Sequence, residues 1–100
     1  ALLANGGHGC ISVTANVAPR QCADMHLAWQ AGKTDEALAI QQRLMPLHDA
    51  LFVEASPGPV KYAASLLGKC SAETRLPLCE ISDQSKKTVD EAMRSAGLLN

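Results

Sequence analysis

The stretch that most constrains this 100-residue chain is Gly6-Gly7-His8-Gly9-Cys10-Ile11-Ser12-Val13-Thr14-Ala15-Asn16-Val17, a glycine-rich turn followed by a β-branched run and a polar stop. From Cys10 to Ala15 small or polar residues (Cys10, Ser12, Thr14) alternate with apolar ones (Ile11, Val13, Ala15), the period that puts each set on its own face of a strand. Neither face carries a charge, which suits a strand covered on both sides, as in a parallel sheet. No second convincing strand follows it. About six residues of unpaired strand leave several backbone groups bare, at about 1 to 3 kcal/mol for each one buried. A whole domain is stable by only about 5 to 15 kcal/mol. Together with the missing initiator Met and an opening Ala1-Leu2-Leu3-Ala4 that reads as a helix end stopped by Asn5-Gly6, this predicts the C-terminal part of a larger protein.

The rest reads as helices. Pro19 is placed to open one that runs to about Ala31, with Cys22, Met25, His26 and Trp29 as its inner face and Gly32 as its stop. Thr34 is expected to cap a second, with Asp35 and Glu36 in its first turn and an apolar face of Ala37, Ile40, Gln41, Leu44, Leu47, His48 and Leu51, kinked near Gln42 to Met45 by Pro46. Ser56-Pro57-Gly58-Pro59 starts a third, with Val60, Ala63, Ala64 and Leu67 on one face and Gly68 after it. Leu76-Pro77-Leu78 is expected to be extended and packed on a neighbour, and Ser82 to cap a last helix that buries Val89, Ala92, Met93 and Ala96 before Gly97.

Composition removes whole function classes. A net charge of -1 with scattered lysines offers no basic stripe for nucleic acid. The apolar runs are short and interrupted, so no membrane span is expected and a soluble, cytoplasmic protein is. Cys10, Cys22, Cys70 and Cys79 form no C-x-x-C pair, which predicts reduced thiols and no metal site. His8, His26 and His48 stand at no ligand spacing and read as loop or packed helix residues. Lys61 follows a helix start, where its ammonium is expected to reach solvent. The Gly6 to Gly9 turn is not followed directly by a helix, as a phosphate cradle would be.

Taken in order, Gly6 to Pro19, Gln42-Arg43-Leu44-Met45-Pro46-Leu47-His48, Leu51 to Lys61, Arg75-Leu76-Pro77-Leu78 and Ala96-Gly97-Leu98-Leu99 resemble the dihydrodipicolinate synthase family over essentially the whole chain. The resemblance implies an α/β fold: the C-terminal fragment of a (β/α)8 TIM barrel, followed by a C-terminal α-helical domain. Residues 1–32 would be the end of the barrel, with its last strand at about 10–15 and its last helix at about 19–31. Residues 33–100 would be the helical domain.

It also implies a class I aldolase-type lyase of lysine and diaminopimelate biosynthesis. Such an enzyme condenses pyruvate with L-aspartate 4-semialdehyde through a lysine Schiff base, needs no cofactor, and works as a cytoplasmic homo-oligomer, a tetramer. The Schiff-base lysine, the tyrosine relay and the aldehyde-binding arginine of the family match no position of this chain, so no catalytic residue is expected here and the isolated chain is expected to be inactive. One family site does map: Ile11, which would line the pyruvate pocket with its backbone carbonyl facing the reactive lysine. A sibling pyruvate-dependent aldolase, or a non-catalytic helical interaction module, are the alternatives. Sibling lyases tend to carry Gly-Ser where this chain has Ser12-Val13, and a free-standing module would be expected to charge or break the Cys10 to Ala15 run.

Overall fold

In the computed structural model, which describes residues 1–100, four helices follow one another: α1 (Pro19–Gln30), α2 (Thr34–Ala50), α3 (Gly58–Leu66) and α4 (Asp83–Ser95). Short 3-10 turns at Leu3–Asn5 and Thr14–Asn16 precede them.

The helix limits follow from local chemistry. Pro19 occupies the first turn of α1, where its missing N–H has no intrahelical acceptor. Gly32, at φ 77°, lets the Lys33 N–H turn back to the Ala28 carbonyl at 2.9 Å and close the helix. Asp35 and Glu36 lie in the first turn of α2, where the helix dipole favours them. Thr34, however, is the first helical residue and not the cap: Lys33 holds that position and makes no side-chain capping bond. The helix then continues as one element through Pro46.

At α4 the expected cap is present, with Ser82 Oγ accepting the Ser85 N–H at 3.2 Å. Gly97, at φ 77°, ends the helix as the Leu98 N–H reaches the Met93 carbonyl at 3.0 Å.

The core forms where α2, α3 and α4 meet. Leu44, Leu47, Ala50 and Leu51 pack with Val60 and Ala63 and with Val89, Ala92, Met93 and Ala96, and Ile81 joins from the segment before α4. Val17 and Ala18 insert into the same cluster, which ties the N-terminal segment to the helices. By contrast, α1 buries only Ala28. Its expected inner face of Cys22, Met25, His26 and Trp29 is half-buried, because only α2 and the N-terminal coil lie against it.

Two expectations of extended structure are corrected. Cys10 to Ala15 is not a strand: Gly7 to Ser12 has no regular structure, Val13 takes helical angles (φ −66°, ψ −46°), and Thr14–Asn16 is a 3-10 turn. A ladder needs a partner strand and the chain has none. Meanwhile the polar residues of the run satisfy the backbone locally: Ser12 Oγ accepts the Ala15 N–H at 3.2 Å and Asn16 Nδ2 donates to the Val13 carbonyl at 3.0 Å. Leu76-Pro77-Leu78 is a turn, closed by the Leu78 N–H on the Arg75 carbonyl at 3.0 Å, and Leu76 is 89% exposed, not packed on a neighbour.

One long-range polar tie joins the segment after α2 to the start of α4. Glu54 Oε2 accepts the Ser82 N–H at 2.8 Å. A hydrogen bond from the Ser85 hydroxyl, then that from the Ser82 N–H, holds the Glu54 carboxyl below its ordinary pKa. A carboxylate with a lowered folded-state pKa stabilises the fold above its unfolded-state pKa, and this contribution is lost as pH falls through the lowered value. Glu54→Gln should therefore lower the melting temperature at neutral pH, and the gap to the parent should close on acidification below the carboxylate range. Thermal melts followed by circular dichroism across pH would show it; a gap independent of pH would refute it. Separately, Leu47→Ala, at a fully buried position, should cost about 2 to 5 kcal/mol. Leu38→Ala, at 54% exposure, should cost about 0.5 kcal/mol or less in the same denaturant titration.

Candidate functional site

The segment from His8 to Ile11 is an open stretch of backbone, as Cys70 to Thr74 also is. None of these four residues makes a backbone hydrogen bond, and the Ile11 side chain is fully exposed. Four consecutive residues therefore hold their N–H and C=O groups open to solvent. Such a run can accept a strand alongside it, or present a single carbonyl to a ligand.

The open run is anchored at both ends. On its N-terminal side the Gly7 N–H bonds the Leu2 carbonyl at 2.9 Å. On the other side Thr14, only 2% exposed, accepts the Val17 and Ala18 N–H groups on its carbonyl at 3.0 and 2.9 Å. The Thr14 hydroxyl pairs with Nδ1 of His48, in α2, at 2.6 Å.

Behind the run lies a cleft of ≈380 Å³, whose walls include Leu2, Cys10, Met25, His26, Trp29 and Leu38. Desolvation pushes the Cys22 thiol above its ordinary pKa. The neighbouring Cys10 adds to the shift and a hydrogen bond with Ser12 opposes it, so the three residues meet where α1 backs onto the coil. All four cysteines are free thiols, and Cys10, Cys70 and Cys79 are exposed. A second, larger groove of ≈610 Å³ between α1 and α2 has walls of mixed charge, with Asp24, Lys33, Glu36 and Arg43 among them.

The remaining candidates do not converge. His8 is exposed on the open run, His26 is half-buried at the cleft, and Lys61 is half-buried in the first turns of α3. No group of three or more His, Cys, Asp or Glu side chains is placed to hold a metal, and no helix is long and apolar enough to cross a membrane. Sequence reading missed the Thr14–His48 pair. Its partners are 34 residues apart, so no local spacing announces it.

A family model described as the dihydrodipicolinate synthetase family matches residues 1–96. The chain belongs to this family. It is 58% identical over 98 residues to the 4-hydroxy-tetrahydrodipicolinate synthase of Gluconobacter oxydans, an alignment that takes in 98% of this chain and 33% of that protein. Among solved structures, the dihydrodipicolinate synthase of Thermotoga maritima superimposes with a TM-score of 0.94 at 38% identity, over 97% of this chain and 33% of that one. The chloride-inhibited dihydrodipicolinate synthase of Acinetobacter baumannii, solved with pyruvate, does so with a TM-score of 0.87 at 33% identity, over 94% of this chain and 32% of that one. The chain thus spans about a third of the length of these relatives. Its helices and its irregular N-terminal run follow the path that members of the dihydrodipicolinate synthetase family take over the same third.

The open run has a direct consequence for exchange. In the dilute chain the Cys10 and Ile11 amides should exchange near their intrinsic rates, while those of Leu47, Leu51 and Met93 are protected. Hydrogen exchange read by NMR checks this, and slow exchange at Ile11 would mean that the run has a partner after all.

Proposed function

We propose that the chain is the C-terminal part of a 4-hydroxy-tetrahydrodipicolinate synthase, in which residues 1–32 complete a (β/α)8 barrel and residues 33–100 form a helical domain behind it. The enzyme condenses pyruvate with L-aspartate 4-semialdehyde in lysine and diaminopimelate biosynthesis, as a cytoplasmic homo-oligomer. Its chemistry runs through a lysine imine: the amine adds to the pyruvate ketone, water leaves, and the imine loses a methyl proton to become an enamine nucleophile. The lysine belongs to a part of the barrel outside this third of the protein.

Ile11 is the contribution of this chain to the pyruvate site. Its backbone carbonyl, turned toward the reactive lysine, offers a fixed partial negative charge to the ammonium and then to the iminium N–H, and so sets the geometry of imine formation without taking part covalently. The observation that carries this reading is the combination of the family match over residues 1–96 with an Ile11 whose backbone carbonyl makes no hydrogen bond to any other backbone group of the chain. A run of bare backbone ending at Ile11 is what a barrel strand looks like when its flanking strands lie elsewhere in the protein.

The test joins residues 1–100 to the preceding two thirds of the Gluconobacter oxydans synthase. The joined enzyme should form product from both substrates, whereas the 100-residue chain alone should give no pyruvate adduct on any lysine after borohydride reduction, read by mass spectrometry. An adduct on the isolated chain, or a folded but inactive joined enzyme, would overturn the reading. Within the joined enzyme, Ile11→Ala should lower turnover more than melting temperature, because a pocket-lining position affects alignment at the reacting atoms before it affects packing.

A further inference from the structure

We propose that His48 is a positioning residue for the pyruvate site, acting through the Thr14 hydroxyl on the backbone that carries the Ile11 carbonyl; this rests on the reading of Ile11 given above. Thr14 lies three residues beyond Ile11 and is the point where the open run turns into the packed body of the molecule. Its carbonyl is used twice, by Val17 and Ala18, and its side chain is 2% exposed. The one side-chain partner of its hydroxyl is His48 Nδ1, at 2.6 Å across 34 residues of sequence.

A buried hydroxyl depends on its protein partner, and here that partner is carried by α2, the helix whose Leu44 and Leu47 are locked in the core. The two residues before Thr14 make no hydrogen bond to α2: Val13 is partly buried against the core cluster, and the Ser12 hydroxyl bonds the Ala15 N–H and the Cys22 thiol of α1. The Thr14–His48 bond is thus the one side-chain hydrogen bond that joins this stretch directly to α2. The helical region would by this route set the aim of a carbonyl in the barrel. Either tautomer of the imidazole can make the bond, since a hydroxyl both donates and accepts, so the role is one of placement and not of proton transfer.

The joined synthase is the protein for the test, with Thr14→Val, His48→Leu, His48→Asn, Thr14→Ser and the double variant Thr14→Val/His48→Leu. His48→Leu and Thr14→Val should each lower kcat/KM for pyruvate, and the rate of borohydride-trapped imine formation, by about tenfold, the scale of a small misplacement at a reacting centre. The double variant should be no worse than either single one, because both remove the same interaction. His48→Asn puts an amide nitrogen or oxygen the same number of bonds from the backbone as Nδ1 and should restore most of the loss, as should Thr14→Ser. Parent kinetics in His48→Leu and Thr14→Val, while Ile11→Ala is impaired, would overturn this inference and leave the Ile11 reading standing. A loss that tracks melting temperature and is not recovered by His48→Asn would also overturn it, as packing alone. A joined enzyme with no turnover would defeat the Ile11 reading and this inference with it.

Discussion

The burial of the α2 leucines against α4 is the interaction on which the rest of the molecule depends. Leu44 and Leu47 of α2, with Leu51 just after it, lie about one turn apart on one side and pack in one cluster with Val89 and Met93, with α3 supplying Val60 and Ala63. With few aromatic residues in the chain, this aliphatic seam is where apolar surface leaves water. Everything N-terminal to α2 joins this seam through Val17 and Ala18 in the cluster, the packing of α1 along α2, and the Thr14–His48 bond. The order of attachment makes the helical region the rigid reference and the open run the adjustable part.

Helices were legible from the sequence because their signals are local. Pro19, Gly32, Ser82 and Gly97 mark ends by chemistry that acts within one turn, and the buried positions of α2 and α4 follow the helical period. The strand was not legible in the same way. Alternation in Cys10 to Ala15 describes what the residues would do beside other strands, and a ladder is a property of two segments. Without the second, Ser12 and Asn16 bond the backbone nearby and Val13 to Asn16 curls into a turn. The inner face assigned to α1 misread in a related way: Met25, His26 and Trp29 are spaced for burial, and α2 with the N-terminal coil covers them only in part.

For the site, sequence likeness reached further than residue chemistry. Ile11 has no feature that marks it, being an aliphatic residue in a short uncharged run, and it enters only through the resemblance of the surrounding motif. Its bare backbone is visible only in the fold. The Thr14–His48 pair was hidden for the opposite reason: both residues are chemically suggestive, but nothing in their spacing connects a loop threonine to a helix histidine 34 positions later. His8 and Lys61 have no converging partners.

That α2 is a single helix of 17 residues, about 25 Å long, carries a consequence for how this part of the protein can change over generations. Its N-terminal half lies beside α1, and its C-terminal half carries both the leucines of the seam and His48. A one-residue insertion or deletion inside it would rotate everything beyond by about 100°, turning the leucines out of the seam and swinging the imidazole away from Thr14 together. The connection from Lys69 to Glu80 has no such phase to keep, being irregular and largely exposed. Length variation in descendants of this sequence is therefore expected to accumulate in that connection and to be absent from α2, which acts as a spacer whose rotational register is inherited whole.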